Sequence, residues 1–91
     1  MLNATEMRVV SDVAKSALKR QSVEKTQIWC EARENDIVYA ANRGLTITNV
    51  GVPKGVINDF FTKDERDTII TTFFEELGYK VKFQNGFVLE W

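Results

Sequence analysis

The sequence predicts a single small α+β domain: an N-terminal helix or helix pair, a strand, a third helix and a C-terminal β-hairpin. Three observations predict it. A stretch free of Gly and Pro runs to Gly44 with apolar residues at helical spacing, an alternating β-branched segment follows, and residues 79–91 alternate around an Asn-Gly pair. Ninety-one residues suit one domain, with a helical part over 1–44 and the remaining elements over 45–91. The order is ααβαββ, with helices covering a three-stranded sheet that contains antiparallel pairs.

The first helix is predicted to begin at Asn3. Asn3 and Glu6 have the spacing of a capping box, in which Glu6 reaches back to the Asn3 backbone amide. An apolar stripe follows at helical spacing and consists of Met7, Val10, Ala14, Ala17 and Leu18. Ser22 is a candidate cap for a second helix, so a short break over 20–22 is favoured over one continuous helix.

The stretch from Ser22 to Asn42 is apolar on two opposite faces. One face carries Ile28, Ala32 and Tyr39, which keep the phase of the first stripe, so a continuous helix stays open as the alternative. The opposite face carries Val23, Cys30, Ile37 and Ala41. A helix with two apolar faces must bury both: one can cover a sheet, and the other needs the first helix or a second copy of the chain.

The elements after the helical part are predicted from caps and alternation. Gly44 ends the second helix as a C′ glycine, and residues 45–50 alternate as a strand. Thr62 and Glu65 form a capping box for the third helix, which Gly78 closes. The predicted apolar face of that helix consists of Arg66, Ile69, Ile70, Phe73, Phe74 and Leu77.

The register of the hairpin follows from its apolar residues. A two-residue Asn85-Gly86 turn would mix polar and apolar residues on each face. A three-residue loop over 84–86, with Gly86 left-handed, gathers the large apolar residues on one face. The predicted pairs are Phe83 with Phe87, Val81 with Leu89 and Tyr79 with Trp91. The other face then carries Lys80, Lys82, Val88 and Glu90.

The composition predicts neither an enzyme nor a cofactor or metal site. The chain has no histidine, the commonest general base and neutral metal ligand, and one cysteine, Cys30. Cys30 lies mid-helix on an apolar stripe, where a thiol packs as a small hydrophobe. We expect no disulfide, signal peptide or membrane span, and therefore a cytoplasmic location.

Two further groups receive structural interpretations. The carboxylates Asp59, Asp64, Glu65 and Asp67 cluster around the start of the third helix, where the helix dipole favours anions. The segment 51–55 contains Gly and Lys after a strand but lacks the spacing of a P-loop. We therefore predict a capped helix start and a connection at these two places.

Candidate contact residues fall into two sets. A protein interface is predicted from the second helical stripe and the surplus aromatics, at Val23, Trp29, Cys30, Ile37 and Trp91. A weak candidate strip for phosphate contact consists of Arg43, Lys54, Lys80 and Lys82. With 12 basic and 13 acidic side chains, net charge gives this strip little support, and edge-strand lysines more often prevent aggregation.

Four short motifs punctuate the chain after Ile37. They are Ala-Ala-x-x-Gly at 40–44, Thr-Ile-Thr at 46–48, Leu-Gly-Tyr-Lys-Val at 77–81 and Leu-Glu-Trp at 89–91. In this arrangement the chain resembles a recurring type of small bacteriophage protein with a helix, strand, helix and hairpin ending in an aromatic. The resemblance implies fold and viral origin. Members of the type are mostly of unassigned role, so it implies no functional residue.

Three functions follow as hypotheses. The leading one is a non-enzymatic bacteriophage protein that forms a homo-oligomer and contacts other viral or host proteins, as a virion or assembly component in the host cytoplasm or virion. The alternative is a phage accessory protein that binds and inhibits a host factor or sequesters a host defence signal. Nucleic-acid binding through the hairpin lysines ranks third, because the net charge is −1.

Overall fold

The computed structural model describes residues 3–91, which form three helices and three strands. The helices are α1 (Ala4–Ala32), α2 (Glu34–Asn42) and α3 (Lys63–Glu76). The strands are β1 (Ile47–Gly51), β2 (Lys80–Phe83) and β3 (Phe87–Glu90). This order confirms the predicted α+β fold class.

The helix α1 is continuous through residues 20–22, so the predicted break there is wrong. Ser22 is buried, and its hydroxyl oxygen accepts a hydrogen bond from Nδ2 of Asn58 at 2.8 Å. Thr26, one turn later, donates its own hydroxyl to the Ser22 carbonyl oxygen at 2.8 Å. Ser22 therefore joins the helix to the connection between β1 and α3 and does not cap a helix.

The helical part is divided at Arg33 instead. The Arg33 amide is shared between the carbonyl oxygens of Trp29 and Cys30 at 3.2 Å each, a geometry common at helix ends. In α2, Ala40 is buried and Ala41 is exposed, which corrects the predicted stripe at that position. Cys30 and Ile37, seven residues apart, are both buried, so the inward side continues through the turn at Arg33, and the core lies on the Ala40 side of Ile37.

Caps set the helix ends largely as predicted. Asn3 Oδ1 accepts from the Glu6 amide at 2.9 Å, and the Glu6 carboxylate accepts from Asn3 Nδ2 at 3.4 Å instead of from the backbone amide. Gly44 and Gly78 follow α2 and α3 with φ of +80° and +93°. Each is followed by the hydrogen bond that closes a Schellman motif.

The strands form one antiparallel sheet in the order β1-β3-β2. The hairpin has the predicted register, with Phe83 opposite Phe87 and Val81 opposite Leu89. The Tyr79 and Trp91 rings, beyond the strands, meet edge to face with centroids 6.1 Å apart. The register therefore places the large apolar side chains of the hairpin on one face. Val88, on the other face, is buried as well, because it lies in the central strand between Asn49 of β1 and Lys82 of β2.

The core lies between the helices and that face of the sheet. It is formed by Cys30, Ile37, Val50, Ile70, Phe74, Phe87 and Leu89. On α3, the predicted apolar face is confirmed at Arg66, Ile70 and Phe74, which are buried. Leu77 is 62% exposed, a correction to that face, because it is the C-cap residue at which the helix ends.

The N-terminal part of α1 projects from this body. Every residue over 3–21 is exposed, and burial begins at Ser22. At a rise of 1.5 Å per residue, residues 4–21 are about 27 Å long, and we call them the arm. The arm accounts for the elongated extents of 64 × 21 × 19 Å. Among residues 3–91, no helix is both long and apolar enough to cross a membrane.

Candidate interaction surface on α1

One face of α1 contacts the body. Its residues recur every three or four positions and are Lys15, Lys19, Ser22, Thr26 and Cys30. Ser22, Thr26 and Cys30 are 4%, 0% and 1% exposed. This inward face is polar at every position except Cys30, which is unusual for the side of a helix that packs on a core.

Two lysines extend the inward face into the arm. Lys19 Nζ lies 3.3 Å from Oε2 of Glu65 at the start of α3. Lys15 Nζ lies 5.8 Å from the ring centroid of Phe60. Exposed contacts of this kind are worth little energy, about 0–1 kcal/mol each. They nevertheless agree on which side of the arm faces the body.

The opposite side of α1 is apolar and exposed. At about 100° per residue, Val10 lies about 160° around the helix from the buried Thr26. We call the exposed apolar residues of the arm the outer stripe; they are Met7, Val9, Val10, Val13, Ala14, Ala17 and Leu18. Ile28, which is 64% exposed, continues the same line beyond the arm. The apolar side of α1 therefore faces away from the body.

The outer stripe is costly to leave in water. Full burial of a valine, leucine or methionine side chain is worth about 1.5–3 kcal/mol relative to exposure. Val9, Val10 and Val13 are also weaker helix formers than unbranched residues, and most helix stability in proteins comes from packing an amphipathic face. Contiguous exposed apolar surface of this kind marks interaction sites. The arm is thus the strongest candidate surface on the molecule.

The five residues predicted as an interface lie elsewhere. Cys30 and Ile37 belong to the core, so the structure corrects the interface at these two positions: they are covered by the chain itself. Trp29 is half-buried, with its ring 6.5 Å from that of Phe87. Val23 is half-buried too, whereas Trp91 is 39% exposed.

The outer stripe was missed as a site although its pattern is visible in the sequence. Most of its residues form the first predicted stripe, and Ile28 shares their phase. The missing information was the side on which the body lies. Ser22 and Thr26 carry that information, because both are buried polar residues on the side of α1 opposite to Ile28.

Cys30 lies in the wall of a groove between α1, α2 and α3. The groove has a volume of about 360 Å³, and Phe73, Leu77 and Tyr79 also line it. Burial, with a smaller contribution from the Glu31 charge, raises the pKa of the Cys30 thiol to about 12, against a lowering effect of Arg33. The thiol is therefore protonated at neutral pH, a form that is a poor nucleophile and metal ligand.

The candidate phosphate-contact residues are distributed over three parts of the fold. Lys80 and Lys82 lie on the outer face of β2, an edge strand, as the hairpin register predicts. Lys80 is directly opposite Glu90, so the strip contains a carboxylate. Arg43, at the end of α2, has its guanidinium 5.5 Å from the Tyr39 ring centroid. Lys54 is exposed in the connection after β1.

Two of the four carboxylates around the start of α3 are paired with cations. Glu65 pairs with Lys19, and Asp67 Oδ1 lies 2.9 Å from Nη2 of the buried Arg66. In the described part of the chain, no three or more His, Cys, Asp or Glu side chains are grouped so that they could hold a metal ion.

The apolar side chains of the outer stripe on α1 are thus not covered by any other part of the described chain. No family model, curated protein or solved structure matches this chain.

Proposed function

We propose that this chain is a non-enzymatic bacteriophage protein that acts by self-association and protein contact, as a virion or assembly component in the host cytoplasm or the virion. The outer stripe of α1 is the observation that carries the self-association. The viral origin rests on the sequence motifs after Ile37. Its expected partners are other copies of itself and further viral or host proteins.

The setting of α1 on the body supports a partner for the arm. A helix with one apolar and one polar face normally turns the apolar face inward. Here Thr26 faces inward and is completely buried, while Val10 and Val13 are 55% and 65% exposed on the other side. A partner that covers the outer stripe removes its apolar side chains from water, and this burial stabilises the complex.

The residue types of the stripe favour another helix as that partner. Ala14 and Ala17 lie near its middle, and small side chains let two helix backbones approach closely. A helix that lies on a membrane surface instead carries Trp, Phe or Leu opposite a Lys- and Arg-rich face. Here Asp12 interrupts the basic face, and the outer stripe contains no Trp or Phe. A second copy of the arm supplies a helix of matching length and apolar width.

Size-exclusion chromatography with light scattering tests the self-association. At tens of micromolar protein we expect a mass that is a multiple of the 10.4 kDa chain. A monomer at that concentration would contradict the proposal. Mass spectrometry of purified virions tests the assignment to the particle: detection at structural stoichiometry supports a virion component, and presence in infected cells but not in particles contradicts it.

A further inference from the structure

We infer that the second copy binds in the antiparallel orientation, so that Glu6 of each arm lies beside Arg20 of the other. The inference rests on the proposed self-association and adds its geometry. It is carried by the position of two opposite charges on one side of the midline of the outer stripe.

Glu6 and Arg20 lie on the same flank of the stripe and near opposite ends of the arm. At about 100° per residue, Glu6 is about 40° and Arg20 about 80° from Val10, both in the same direction. The other flank, at Met7 and Leu18, carries no charge. Val9, about 100° from Val10 in that direction, lies beyond both charges, so Glu6 and Arg20 lie within the stripe. The stripe therefore has a negative end and a positive end on one side of Val10.

Helix orientation decides which flanks meet. Two antiparallel helices related by a two-fold axis bring the same flank of each together, running in opposite directions. If they cross at Val13, which is seven residues from each charge, Glu6 meets Arg20 of the second copy, and symmetry makes this contact twice. In a parallel pair in register, Glu6 of one copy lies level with Glu6 of the other and about 21 Å along the helix from Arg20 of the other. Charge complementarity thus favours the antiparallel pair.

The extent of the stripe agrees with a crossing at Val13. An antiparallel pair centred there overlaps over 5–21, which is nearly the whole arm. The outer side of α1 carries Gln21 at the end of the arm and then Glu24 and Lys25 before Ile28, so the apolar contact ends where the overlap ends. Val9 then lies level with Ala17 of the other copy, and large side chains facing small ones pack without voids. The two bodies lie at opposite ends of the pair and do not collide.

Charge reversal tests this orientation in the full-length chain. We expect Glu6→Arg and Arg20→Glu each to raise the dissociation constant of the dimer about tenfold at low salt. Each substitution converts two attractions between the copies into two repulsions. The double variant Glu6→Arg/Arg20→Glu restores both attractions and should return to within about threefold of wild type. Asp12→Lys, on the polar face, is the control and should leave the constant unchanged. The double variant still contains Glu6→Arg. If it binds like wild type, the weaker binding of the single Glu6→Arg variant is not caused by damage to the helix cap.

The outcomes separate the orientation from the function. If wild type assembles and the single reversals have no effect, or the double variant is the weakest, the antiparallel inference is wrong and self-association stands. If wild type stays monomeric, both are wrong.

Cysteine cross-linking gives a second readout. Mixed Glu6→Cys and Arg20→Cys chains should form a disulfide-linked pair under mild oxidation, and neither variant alone should do so. Cross-linking of Glu6→Cys with itself would overturn the inference. The native Cys30 does not interfere because it is 1% exposed.

Discussion

Thr26 and Ile28 lie two residues apart in α1, and their environments are opposite. Thr26 is completely buried, with its hydroxyl donated to the Ser22 carbonyl, whereas Ile28 is 64% exposed. The helix thus turns a hydroxyl toward the body and an isoleucine toward solvent. The same inversion continues along the arm, where Lys19 contacts the body and Val13 does not. We interpret this inversion as the mark of a helix that packs on both sides, once within the chain and once against another copy.

The hairpin and α3 form the part of the core whose loss should be most damaging. Phe74→Ala removes a ring that is 1% exposed and 6.1 Å from the Tyr79 ring centroid. We expect a loss of about 3–5 kcal/mol, out of the roughly 5–15 kcal/mol that stabilise a domain. Phe73→Ala should cost less because Phe73 is half-buried. Urea unfolding at one fixed protein concentration measures both.

Lys82→Ala is the matched control for Phe74→Ala. Lys82 is exposed on the outer face of β2, so its loss should change the free energy of unfolding by less than about 0.5 kcal/mol. A larger loss for Lys82→Ala than for Phe74→Ala would mean that the outer face of the sheet is buried against another chain.

Gly86 is required where the hairpin loop approaches β1. Its φ is +132°, and a Cβ there would lie 2.6 Å from Oδ1 of Asn49 and 2.9 Å from Cα of Gly51. Gly86→Ala should therefore cost more than backbone strain alone, which is about 1–3 kcal/mol. The control is Gly55→Ala, where φ is +73° and a Cβ would meet no atom within 4 Å. We expect Gly86→Ala to lower the urea midpoint further than Gly55→Ala, and equal midpoints would contradict the close approach.

Burial of Cys30 should make stability depend on alkaline pH. Its pKa is raised from 9.0 to about 12 in the folded chain. As the pH rises, the thiol ionises in the unfolded chain before it ionises in the folded chain. The contribution of the buried Cys30 thiol to the free energy of unfolding is therefore complete below about pH 9 and is lost as the pH rises toward 12. Cys30→Ala lacks this contribution. Urea unfolding from pH 8 to pH 11 measures the difference in the free energy of unfolding between wild type and Cys30→Ala. We expect this difference to become smaller as the pH rises, and a constant difference would contradict a buried thiol.

The order of elements and the hairpin register could be predicted because both depend on local pattern. Asn3, Thr62 and Gly44 act on their own helix ends, and the alternation of apolar residues selects one register of the hairpin. A slip of one residue would turn every large side chain to the other face.

The continuity of α1 and the direction of its outer stripe could not be predicted in this way. Ser22 has the chemistry of a helix cap, and its actual partner, Asn58, is thirty-six residues away. Periodicity showed two apolar faces and did not show which of them the body covers. That choice depends on the packing of Thr26 and Cys30 against the rest of the chain, which periodicity does not contain. The predicted interface therefore includes Cys30 and Ile37, which belong to the core.

The most direct test of self-association through the arm is the dissociation constant of Val13→Lys, measured by light scattering over a range of concentrations. Val13 is 65% exposed in the outer stripe, so a lysine there leaves the body intact but has to be desolvated in the assembly. Asp12→Asn changes the charge by the same amount on the polar face and is the control. We predict that wild type and Asp12→Asn assemble alike while Val13→Lys remains a 10.4 kDa monomer. Assembly of Val13→Lys with the constant of wild type, or a monomeric wild type at tens of micromolar, would contradict the account.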